Sequence, residues 1–124
     1  MKLLDTSAWV EYFKGSEKGV VVKQILEVSE VYVSALTLAE ISRWVYENGG
    51  DVLFAIENIK KNAVVLPLED SILVESGIQY VNLRKIKKKI SMIDVIIYVT
   101  SAVHGLVLVP GDSDFKGLMG VELI

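Results

Sequence analysis

Short apolar runs alternating with helical segments constrain this chain more than any other feature. Lys2 to Leu4, Val31 to Ser34, Val64 to Leu66 and Leu106 to Val109 read as strands, with Val121 to Ile124 as a terminal one. Between them, apolar residues recur at helical spacing. A short helix is predicted over Ala8 to Lys14 and a second over Ser16 to Glu30. A third follows Ser34, which is placed to cap it, and stops at Gly49-Gly50. Asp51 to Lys61, Glu69 to Lys85 and a segment opening at Ser91 complete the set. Strands alternating with helices predict an α/β fold with a parallel sheet. The 124 residues suffice for one core and not for two. No repeat or linker interrupts them, so one domain over 1–124 is expected.

Hydrophobic residues make up 52%, and mean hydropathy is +0.44. That predicts strands buried on both faces, or a surface covered by a partner. Val20, Val21, Val22, Ile25, Leu26 and Val28 surround most of one helix axis. The expectation is that this helix is buried, with a partner or dimer contact as the alternative. No apolar run reaches the roughly 18 residues of a membrane span. Lys2 and Asp5 bracket only two leucines, which is no secretory signal, so a cytoplasmic location is expected. The absence of cysteine excludes disulfides, thiolate zinc sites and cysteine nucleophiles.

The acids carry the chemistry. Asp5 follows the first strand and Asp112 follows LVLVPG, so both lie just beyond strand carboxyl ends. Open α/β sheets bind ligands at that edge. Glu40 and Asp94 fall in early turns of helices that start there. Each acid also has a structural role available. Asp5 suits a helix N-cap. Thr37 to Glu40 and Ser91 to Asp94 have capping-box spacing. Asp112 and Asp114 sit in a natural turn, Gly-Asp-Ser-Asp. Yet Asp94 lies within MIDVIIYV, on or beside an apolar face, and a buried carboxylate needs a partner or a cation.

Four carboxylates converging on one edge cannot all ionise without a counter-charge. Oxygen donors without His or Cys select hard cations, Mg²⁺ or Mn²⁺. The matching chemistry is metal-assisted hydrolysis of a phosphodiester. The formal charge of −3 does not oppose a nucleic-acid substrate, because a cation would neutralise part of the cluster.

MKLLDTSAWVEYF, LTLAEISRW, SMIDVIIYVTSAVHGL and LVPGDSDF, in this order and spacing, resemble the PIN-domain family, and within it the VapC-type toxins of toxin–antitoxin pairs. The resemblance spans essentially the whole chain. It implies a three-layer α/β/α sandwich around a parallel sheet of four or five strands. It implies a Mg²⁺- or Mn²⁺-dependent endoribonuclease, with RNA as substrate, a cognate antitoxin as partner and a homodimer as assembly. Asp5, Glu40, Asp94 and Asp112 match the family's acidic cluster, and Asp114 a less constant extra acid. Thr6 or Ser7 matches the small polar neighbour of the first acid. One position departs from the pattern: Pro110 stands where the family has Thr or Ser, and proline offers neither hydroxyl nor N–H. The alternative is therefore a PIN fold with weakened catalysis that acts as a binding module.

Lys85, Lys87, Lys88 and Lys89 form a basic cluster, able to hold RNA phosphates or to complement a helix end. His104 reads as the end of a helix rather than a base, and Trp9, Tyr12 and Trp44 as packing residues rather than base-stacking ones. Rival folds fit the motifs less well. A receiver domain needs an acidic pair after its first strand, where Asp5 is followed by Thr6. A haloacid-dehalogenase site needs a second acid at Ser7, and an integrin-like metal site needs a hydroxyl at Trp9.

Overall fold

The computed structural model describes all residues, 1–124. The strands are β1 (Lys2–Leu4), β2 (Val31–Ser34), β3 (Val64–Leu66) and β4 (Val107–Val109). All pair in parallel, in the order β3-β2-β1-β4. Lys2 and Leu3 lie opposite Val31 and Tyr32, and Leu4 lies opposite Val109. The chain thus builds outward from β1 to β2 and β3, then returns to place β4 on the other side. Strand order reverses between β1 and β4, and there an open α/β sheet leaves a crevice beyond its carboxyl ends. Asp5 and the loop after β4 both emerge at that point.

Adjacent strand residues point to opposite faces, and this sorts the core into two layers. Leu4 and Val109 join one cluster and Leu3 and Leu108 the other, each with no more than trace exposure. The first cluster is roofed by α1 (Thr6–Lys14), α2 (Glu17–Val28), α3 (Ala35–Glu47) and α4 (Val52–Asn62), through Trp9, Val22, Ile41 and Ile59. The second is roofed by α5 (Asp70–Arg84) and α6 (Met92–Val103), through Ile72, Val95 and Ile97. This is the expected three-layer sandwich, with four strands.

The caps follow the sequence closely. Ser16, Ser34 and Asp51 accept from Gly19, Leu36 and Phe54 backbone N–H groups. His104 is the C-cap of α6, as expected. Two expectations are corrected. Val121 to Ile124 is no strand: only Val121 bridges Leu108, because the chain turns away after one pair of ladder bonds. The helix rich in valine is not buried all round. Val22 and Ile25 face the core, whereas Val20, Val21 and Val28 are exposed, Val28 by 83%. Its apolar circumference exceeds what one neighbouring layer can cover.

Gly19 lets α2 lie against α1. A Cβ there would stand 2.1 Å from the Glu11 carbonyl oxygen, and backbone cannot yield as a flexible side chain does. Gly19→Ala is expected to destabilise the fold by about 1–3 kcal/mol, the usual cost of overpacking. Urea unfolding would show a lower midpoint at an unchanged slope.

Candidate metal centre

Each acid is positioned by its own element. Asp5 ends β1 and caps α1: its Oδ1 accepts from Ala8 N–H at 3.0 Å and from the Ser7 hydroxyl at 2.7 Å. It is only 4% exposed. Burial pushes its carboxyl up to about 7; the bonds from Ser7 and Ala8 oppose the rise, and the charges of Asp112 and Asp94 add to it. Three acids from three separate segments therefore share one electrostatic environment. Asp94 completes a capping box at the start of α6, its Oδ2 accepting from Ser91 N–H at 3.1 Å while Asp94 N–H donates to the Ser91 hydroxyl. Asp112 accepts from Asp114 N–H at 3.0 Å. The structural roles foreseen for these acids are thus all in use, beside their convergence.

Glu40 is different. Ser34, not Thr37, caps α3, so the capping-box reading of Thr37 to Glu40 fails. The helix starts a turn earlier because Ser34 ends β2 and already supplies the cap. Glu40 instead accepts from the Thr6 hydroxyl, which also meets the Thr37 hydroxyl at 3.0 Å. Asp5 and Glu40 are thus linked through consecutive residues. Ser7 serves the first and Thr6 the second, where the sequence left one or the other.

The loop carrying Asp112 is pinned to α1. Gly111 N–H donates to the Ser7 hydroxyl at 2.8 Å, and that hydroxyl donates to Asp5. Lys18 Nζ donates to the Gly111 carbonyl at 2.9 Å. Phe115, fully buried and stacked on Tyr98, anchors the far side. Ser7 thereby ties the first acid to the last, with no contribution from residue 110. Thr37, Lys18 and Gly111 escaped the sequence reading. Only the spacing of Thr37 from Glu40 and the PGD turn hinted at two of them; Lys18 carries no sequence signal.

Asp114 also lies at the edge of this group. Partial burial raises its carboxyl, as do Asp112 and Asp94, and Lys89 and Lys87 pull it back. As the side chains lie, no three acids stand close enough to hold one ion, so the tight four-acid cluster is corrected to a looser convergence. Asp5, Asp94 and Asp112 each accept hydrogen bonds from their own segment, and Glu40 accepts one from Thr6. The donor set still suits a hard divalent cation: it is all oxygen, and the buried member, Asp5, lacks a cationic partner.

The chain belongs to the PIN-domain family, whose model matches residues 2–119. No curated protein matches it significantly. Solved structures share the fold. A chain of a toxin–antitoxin complex from Klebsiella pneumoniae is 24% identical, with a TM-score of 0.76 over 98% of this chain and 96% of that one. VapC20 of Mycobacterium tuberculosis, described as a Sarcin-Ricin loop cleaving toxin, is 16% identical, with a TM-score of 0.78 over 96% and 95%. A chain of DNA-bound VapBC from Salmonella typhimurium is 18% identical, with a TM-score of 0.73 over 100% and 97%.

Proposed function

We propose that this chain is a divalent-metal-dependent endoribonuclease and the toxin of a toxin–antitoxin pair. The observation that carries the reading is Asp5. It is a buried carboxyl at the strand-order reversal, raised to about 7 and coupled to Asp94 and Asp112 from other segments. Capping alone does not require three acids to converge. Membership of the PIN family and the fold shared with VapC20 support the substrate class.

Asp5, Asp94 and Asp112, with Glu40 beside them, would hold Mg²⁺ or Mn²⁺, and Asp114 extends the set. When bound, the ion activates water and stabilises charge on the phosphate. Ser7 fixes the Asp5 carboxyl and Thr6 the Glu40 carboxyl, so both are oriented before substrate arrives. The N-termini of α1 and α6 open at the same edge and favour the negative phosphate. Hydrolysis joins the oxygen of water to phosphorus and breaks the bond to one ribose oxygen, which takes up the proton that water gives up. Glu40 is half-buried and lies beside a pocket of about 210 Å³ shared with Thr6 and Arg43.

The partner is an antitoxin, as in the toxin–antitoxin complexes that share the fold. Exposed Val20, Val21 and Val28 on α2 offer it an apolar surface. Val74, Ile78 and Val81 form a second exposed stripe at helical spacing on α5, suited to a homodimer.

Incubation with labelled RNA tests the reading. Cleavage is expected with Mg²⁺ or Mn²⁺ and not with EDTA. Asp94→Asn is expected to lower it by about 100-fold or more, the scale on which single electrostatic groups act, while the thermal melt stays close to that of the parent. Cleavage that persists in EDTA or in the variant would refute the reading.

A further inference from the structure

We propose that the lysine turn between α5 and α6 grips the substrate backbone on one side only of the bond to be cut. The inference rests on the ribonuclease reading and deepens it. Lys87, Lys88 and Lys89 line a cavity of about 210 Å³ together with Ser113 and Asp114. Asp114 lies in that lining two residues from Asp112, and it feels the charges of Asp112 and Asp94 as well as those of Lys89 and Lys87. The lysines are therefore neighbours of the centre. That matters, because salt screens exposed charges within about 10 Å at 0.1 M.

A structural role does not account for these lysines. α5 ends at Arg84 with Lys85 as its C-cap, and the dipole's influence is confined to the last turn. None of Lys87, Lys88 and Lys89 forms an ion pair. The opposite flank has the reverse balance. The pocket beside Thr6 carries Glu40 and Glu47 against Arg43, and that guanidinium is bonded to Glu47 at 3.0 Å. A phosphodiester chain, one negative charge per linkage, is drawn to the lysine side and repelled from the other. Contacts of this kind fix the position of a strand without reading its sequence.

The test compares the chain with Lys87→Gln/Lys88→Gln/Lys89→Gln on an unstructured RNA oligonucleotide. Cleavage is followed in Mg²⁺, and binding is followed separately in EDTA over a salt series. The triple variant is expected to raise KM about 10-fold or more, with a much smaller change in kcat. Its plot of log affinity against log salt should flatten by about 2, since each single-strand phosphate contact contributes roughly 0.7. Replacing all three by Arg should restore both values, and Arg43→Gln should leave the salt slope alone. An unchanged KM and slope in the triple variant, with the parent still cutting RNA, would overturn this inference and leave the ribonuclease reading intact. Binding that depends on the lysines without any cleavage would overturn the ribonuclease reading and, with it, the placement of the grip relative to a cut. An equal loss of slope in Arg43→Gln would overturn the one-sided grip. An absence of RNA binding by the parent would overturn both.

Discussion

Asp5→Asn is expected to abolish RNA cleavage and, at the same time, to raise the melting temperature above neutral pH. The two effects have one origin. In the fold the Asp5 carboxyl is pushed up to about 7, from 3.8, chiefly by burial. That difference amounts to about 4 kcal/mol between its two protonation states. Because the folded value lies above the unfolded one, the folded chain holds more protons between roughly pH 4 and pH 7. Stability from this group is complete at the acid end of that window and is lost as pH rises through it. Ionised Asp5 is thus a cost that the metal-free protein bears at pH 8. Asparagine keeps the cap on α1 and can still accept from Ser7 and Ala8, but it never ionises. Calorimetry at pH 8 should show a rise of several degrees, shrinking toward pH 4. A variant that melts lower at pH 8, or still cleaves, would contradict this account of the site.

Gly111→Ala should cost both stability and activity. A Cβ at 111 would stand 2.5 Å from the Ser7 carbonyl oxygen and 2.9 Å from Ala8 N, both backbone atoms in the first turn of α1. The loop must move, and the bonds from Gly111 N–H to Ser7 and from Lys18 to the Gly111 carbonyl move with it. The expected loss is about 1–3 kcal/mol of stability. Displacing Asp112 by about 1 Å is enough to lower turnover by about 100-fold. The corresponding Ser7→Ala removes the same tie without the clash. It should lower activity with a smaller stability loss. Comparing the two by chemical denaturation and RNA cleavage separates crowding from lost orientation.

The sheet was legible because β1, β2 and β3 are short apolar runs that end at residues unable to continue them. The caps at Ser34 and Ser91 were legible because each stands just before an apolar periodic run. Convergence of the acids was legible only in outline. Each of Asp5, Asp94 and Asp112 follows or opens an element, and a parallel sheet puts those points on one edge. What the sequence does not carry is distance. Whether carboxylates close into a cage depends on the hydrogen bonds each one already accepts, and these hold Asp94 and Asp112 to their own turns. The link of Thr6 to Glu40 and the tie of Gly111 to Ser7 join residues far apart in sequence, so no local pattern announces them. The tie also bears on Pro110. The loop is held by a backbone N–H next to the proline, and the hydroxyl absent at 110 is not needed for it. The exposed face of α2 was misjudged for a related reason: an apolar helix reports how much it could bury, not what is there to bury it.

The central claim is that Asp5, Asp94, Asp112 and Glu40 make up a divalent-cation site. Thermal melts over a Mn²⁺ or Mg²⁺ titration at pH 8 test it most directly. Binding to the folded chain alone stabilises it by about 2.7 kcal/mol at 100 times the dissociation constant. The parent's melting temperature should therefore climb with metal. It should climb less at pH 6, where Asp5 must first lose its proton. Asp5→Asn/Asp112→Asn should start higher and stay flat. Equal climbs in the parent and the double variant, or no climb in either, would contradict the claim.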